Sequence, residues 1–119
     1  MDLDEQQDAF IKAGRLKLCL EGLYPGRYLL EEILGAGGSG LVVKARDKNI
    51  GRVAIKVVVP QDGRPAFLQK ERARLEREIA TMQRASHTNV VVFHQGFFSQ
   101  DDSMCVMTLE FLNGEVRFS

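Results

Sequence analysis

Gly35-Ala36-Gly37-Gly38-Ser39-Gly40-Leu41-Val42 sets four glycines within six residues. Glycine has no Cβ, so such a loop can turn sharply and bring its N–H groups against an anion. The chemistry it suggests is the cradling of a phosphate chain. A glycine-rich hairpin that binds nothing would carry the same residues. Farther along, Val53-Ala54-Ile55-Lys56 is β-branched and ends on a lone amine. Side chains alternate along a strand, so Ala54 and Lys56 share one face, and Val53, Ile55 and Val57 share the other. A small residue beside a cation leaves room for a flat ring and charge for its phosphates. An edge-strand lysine turned to solvent is the plain alternative. Leu75, Glu78, Ile79 and Met82 are spaced i, i+3, i+4, i+7, one face of a helix. Glu78 is then expected inside an apolar stripe, where a carboxylate needs a cation. Lys56 is the expected partner; a surface pair with Arg74 is the alternative.

These groups need elements to hold them. Tyr24-Pro25-Gly26 signals a turn. Strands are expected at 28–34, 41–46 and 52–59, with a turn at 47–51 and a loop at 60–65. Residues 66–84 contain no Gly or Pro and are rich in helix formers, so one principal helix is expected there. Two more strands, 90–98 and 104–112, follow it. Short connections imply antiparallel pairing. The expected fold is α+β: a five-stranded antiparallel sheet with one principal helix. Residues 1–24 put acids first (Asp2, Asp4, Glu5, Asp8) and bases after (Lys12, Arg15, Lys17), as a helix dipole favours. Leu3, Phe10, Ile11 and Leu18 fall near one helical face, so a helix is expected, an extension packed on the domain surface, with a partner-binding helix as the alternative. Residues 15–21 alternate and suit a strand equally well. The division expected is an extension over 1–27, a domain over 28–116 and a tail over 117–119.

The chain has 119 residues, too few for a (β/α)₈ barrel of roughly 200 or more. Sixteen basic and sixteen acidic residues give zero net charge, which argues against a generic nucleic-acid binder. The acidic N-terminus has no secretory pattern, and no apolar run is long enough for a bilayer. Cys19 and Cys105 are therefore expected as reduced thiols of an intracellular, cytoplasmic protein.

Context narrows the glycine loop. A P-loop requires Lys-Ser or Lys-Thr after its last glycine, and Leu41-Val42 stands there. A dinucleotide fingerprint must open a helix, whereas these glycines open a strand. Strand–glycine loop–strand is the arrangement that covers ATP phosphates in protein kinases. With it come Val53-Ala54-Ile55-Lys56, Arg77-Glu78-Ile79, His87-Thr88-Asn89-Val90-Val91 and Leu109-Glu110-Phe111-Leu112, all in the family's order. The chain thus resembles the N-terminal, ATP-binding lobe of a eukaryotic-like serine/threonine protein kinase. Thr88 stands where the family usually has proline.

The resemblance implies that Lys56 binds the α- and β-phosphates and that Glu78 holds Lys56 in place. Gly35, Gly37, Gly38, Ser39 and Gly40 would cover the phosphates. Leu34, Val42 and Ala54 would enclose adenine, with Leu109 at the back of the pocket. The backbone of Glu110 and Leu112 would bond the adenine edge, and Glu115 would reach the ribose from a hinge one glycine shorter than the family's. His87 is expected to be structural.

Transfer also needs an aspartate that orients the acceptor hydroxyl and groups that hold Mg²⁺. In the family these lie in His-Arg-Asp-x-x-x-x-Asn and Asp-Phe-Gly, and neither motif occurs here. The expectation is an ATP-binding lobe truncated just after the hinge, binding ATP weakly at best and inactive alone, with protein substrates and Mg²⁺ belonging to a longer protein. A non-catalytic interaction module and a nucleotide sensor are the competing readings.

Overall fold

A computed structural model of the protein describes residues 2–86 and 93–110. Its elements are α1 (Leu3–Leu23), β1 (Tyr28–Gly37), β2 (Gly40–Asp47), β3 (Gly51–Val58), α2 (Gln69–Ser86), β4 (Phe93–Phe98) and β5 (Cys105–Glu110). The strands form one antiparallel sheet in the order β1-β2-β3-β5-β4. The α+β architecture with a five-stranded antiparallel sheet is the one expected. Val90 to Val92, Phe111 and Leu112, also expected in strands, lie outside the described residues.

The sheet buries both faces. Leu41, Val43, Val53, Ile55, Val57 and Val106 line one, and α1 covers it with Leu16 and Leu20. Cys105, Met107 and Leu109 line the other, against Leu75, Ile79 and Met82 of α2. Alternation along β3 and β5 makes this division. The sheet also curls. Gln95 of β4 accepts from the Tyr24 hydroxyl at 3.2 Å and donates to the Tyr28 hydroxyl at 2.8 Å, so the two edges of the sheet meet. Tyr24 packs edge-on against both Tyr28 and Phe97 at that seam.

α1 resolves the ambiguity at residues 15–21: the whole stretch is helical. Asp2 caps it, accepting from the Glu5 N–H at 2.8 Å, with Asp4 and Glu5 in the first turn. Its packing side is not the one that carries most of the large apolar residues. Ala9, Lys12, Leu16 and Leu20 are buried, whereas Leu3, Phe10, Ile11 and Leu18 are 62–76% exposed. The helix carries two apolar stripes on opposite sides. Periodicity picked out the one with more large side chains. The sheet takes the other, where Ala9 allows close approach.

α2 begins at Gln69, three residues later than expected. Phe67 is held instead by its N–H to the Asp102 carbonyl at 2.8 Å and by the Phe98 ring. Glu71 then reaches back to the Leu68 N–H at 2.9 Å, half of a capping box, and pairs with Arg64 at 2.6 Å. Before β1, Arg27 forks onto the buried Asp47 carboxylate at 3.1–3.2 Å, which also accepts from the Asn49 N–H. That pair fastens the end of β2 to the start of β1.

Candidate functional site

β1 and β2 form a hairpin whose tip is Gly38-Ser39, with Gly37 opposite Gly40. A Cβ on Gly35, Gly37 or Gly38 would meet nothing within 4 Å, so the space beneath the loop is open. Gly40 is different: a Cβ there would lie 1.8 Å from the Val57 carbonyl oxygen. None of these glycines has a positive φ, so close strand approach, not a left-handed turn, is what this loop demands. The Ser39 carbonyl accepts from the Val59 N–H at 2.9 Å, tying the tip to the end of β3.

Register builds the rest. Val42 lies opposite Gly35 on one side and Lys56 on the other, and Lys56 lies opposite Met107. In the next row Ala54 stands between Lys44 and Leu109. A register shift between Ile33 and Gly35 leaves Leu34 as an extra residue beside Gly35, partly exposed. Gly35, Val42, Ala54, Lys56 and Leu109 therefore share one sheet face, and Leu34 joins them at the bulge. Gly35, Gly37, Ser39, Gly40, Val42 and Lys56 line a cleft of about 270 Å³. A larger groove, about 590 Å³, lies between α1 and the β4–β5 turn and contains none of the expected site residues.

Lys56 Nζ is 3.5 Å from Glu78 Oε1, joining β3 to α2. The pair is not buried as expected: the side chains are 37% and 44% exposed. Glu78 stands at the margin of the α2 stripe, not within it. Leu75, Ile79 and Met82 make the packed centre, and the turn of the helix carries Glu78 to the side that meets Lys56. Behind the pair, Cys105 is fully buried. Burial, reinforced by the charge of Glu78, pushes its thiol up to about 12, so it is neutral and inert.

Residues 28–118 match the protein kinase domain family, three quarters of the chain. The chain belongs to the protein kinase family. Its sheet and α2 are those of the family's N-terminal lobe. Similar proteins include a putative CBL-interacting protein kinase 27 from Oryza sativa, 40% identical over 63% of this chain. A probable serine/threonine-protein kinase MARK-B from Dictyostelium discoideum is 31% identical over 78% of it. The serine/threonine-protein kinase PksC of Streptomyces coelicolor is 37% identical over 83%. The chain spans only 18%, 12% and 17% of the lengths of these three kinases.

Of the residues that the kinase resemblance points to, the structure gathers Leu34, Gly35, Gly37, Ser39, Gly40, Val42, Ala54, Lys56, Glu78 and Leu109 around one sheet face and its hairpin. Gly38 is at the hairpin tip and Glu110 ends β5. Leu112, Glu115 and His87 lie outside the described residues. Among the described residues no group of three or more His, Cys, Asp or Glu side chains could hold a metal ion. No described helix is long and apolar enough to cross a membrane. The sequence reading missed Lys12, which is buried and donates to the Gly37 carbonyl at 2.8 Å. Its only local signal was Asp8 four residues before it. The contact with the glycine loop spans 25 positions.

Proposed function

We propose that this chain is the ATP-binding lobe of a serine/threonine protein kinase. The observation that carries the reading is the Lys56–Glu78 pair at 3.5 Å, set beside the open space of the glycine hairpin. Lys56 would take the α- and β-phosphate oxygens, with Glu78 fixing its ammonium. Backbone N–H groups of Gly37, Gly38, Ser39 and Gly40 would cover the phosphates. Leu34, Val42 and Ala54 would enclose the adenine, Leu109 would close the back, and the backbone of Glu110 would meet its edge. In a longer protein this lobe would serve transfer of the ATP γ-phosphoryl group to protein hydroxyls. This chain's own residues bind and orient the phosphates. The acceptor-orienting aspartate and the Mg²⁺-holding motifs are absent from its sequence, so the 119-residue chain is expected to transfer nothing by itself.

Thermal unfolding with and without ATP tests this. ATP should raise the Tm of the chain, and the rise should vanish in Lys56→Met and Gly37→Val. An absent rise in the unsubstituted chain overturns the ATP reading. Phosphotransfer by the purified chain that disappears in Lys56→Met overturns its inactivity alone. A second reading, a non-catalytic interaction module, draws on the exposed side chains of Leu3, Phe10, Ile11 and Leu18 along α1.

A further inference from the structure

We infer that Lys12 of α1 is a positioning residue for the glycine-rich loop, bracing it from the sheet face opposite the candidate nucleotide cleft. The inference rests on the ATP-binding reading only for its consequence, not for the brace itself.

The buried side of α1 consists of Ala9, Lys12, Leu16 and Leu20. Three of these are apolar, and Lys12, 7% exposed, is the exception. A buried ammonium is costly unless its protons find acceptors. Lys12 Nζ finds two: Asp8 Oδ2 at 2.7 Å, one helical turn back, and the Gly37 carbonyl at 2.8 Å. Gly37 ends β1, directly before the hairpin tip. The tip is thus fastened on two sides. Val59 holds Ser39 through a bond that belongs to the end of β3. Lys12 holds Gly37 through a bond that belongs to α1. The first persists as long as the sheet does, whereas the second depends on where α1 sits.

Direction gives the contact its consequence. α1 packs with Leu41, Val43, Val53, Ile55 and Val57, while Val42 and Lys56 alternate onto the other face. Lys12 therefore approaches the loop from behind and leaves the cleft free. It restrains the hairpin without touching a nucleotide. With the brace gone, the loop spends less time in the position that covers the phosphates, and the apparent affinity falls with the competent fraction.

Hydrogen exchange of the amides in 35–40 and the dissociation constant of a fluorescent ATP analogue are compared in the 119-residue chain and in Lys12→Met. Loop amides are expected to exchange about tenfold faster in Lys12→Met, with β3 and β5 unchanged. The dissociation constant should rise roughly threefold to tenfold, against complete loss in Lys56→Met. Asp8→Asn, altered at an exposed side chain, should give a smaller change in the same direction and serves if Lys12→Met does not fold. Equal loop exchange with and without the Lys12 amine overturns the brace. So does faster exchange spread equally over β3 and β5, which marks a purely structural lysine. Faster loop exchange with unchanged affinity overturns its positioning role. If the unsubstituted chain binds no nucleotide, the ATP reading fails, and loop exchange alone decides the brace.

Discussion

Lys56 and Glu78 meet across two elements, yet both side chains stay partly in water. An exposed pair is worth about 0–1 kcal/mol. Lys56→Met should therefore change the unfolding free energy from a urea melt by less than about 1 kcal/mol while removing ATP-induced stabilisation. Combined loss of both would mean the pair is a fold element. Arg27 and Asp47 are the opposite case. Burial pushes the Asp47 carboxyl up, but the Arg27 fork and the Asn49 and Ile50 N–H groups outweigh it, and the group sits below the usual carboxylate range. Its contribution is intact above the ordinary carboxylate pKa of about 3.9 and is lost as pH falls through the lower folded value. Asp47→Ala leaves the Arg27 fork and the Asn49 N–H without their acceptor and should cost about 2 kcal/mol at neutral pH, read by urea denaturation. Cys105 has the reverse sign. Its contribution is intact below the ordinary thiol pKa of about 8.5 and is lost as pH rises toward about 12. Iodoacetamide at pH 8 should label Cys19, half-buried, faster than Cys105, and both equally in urea.

The glycine hairpin is limited by its contact with β3. Gly40→Ala puts a methyl into the Val57 carbonyl, a backbone atom that cannot move aside. The expected cost is about 2 kcal/mol in a urea melt. The nearest atoms to a Cβ at Gly96 belong to the Ile79 side chain, at 2.9–3.1 Å, which can shift, so Gly96→Ala should cost less. The bulge at Leu34 was not legible in the sequence, because an extra residue in a strand leaves no mark when its neighbours pair normally. The glycines themselves were legible, since few other residues permit strands to approach so closely.

α1 is part of the core and not only an appendage on its surface. Leu16 is fully buried in the cluster with Leu41, Val43, Val53, Ile55 and Val57, and Leu18, two residues on, is mostly exposed. Leu16→Ala should cost about 3 kcal/mol and Leu18→Ala less than about 0.5 kcal/mol, measured as paired urea melts. If Leu18→Ala cost as much, α1 would pack on the face that carries Phe10, Ile11 and Leu18.

The sequence by itself determined the types of the five strands and α2, the strand pairing sense and the ordered motifs of the kinase family, while residues 15–21 were open between helix and strand. Local spacing encodes these: alternation for β3, apolar recurrence for α2, glycines for the hairpin. The tertiary structure decided which stripe of α1 is buried, that Glu78 sits at the edge of its helix stripe, and that Lys12 touches Gly37. Each of these depends on what lies opposite a side chain in space. A helix with two apolar sides carries no local sign of which one its sheet will take, and a lysine does not announce a carbonyl 25 positions away.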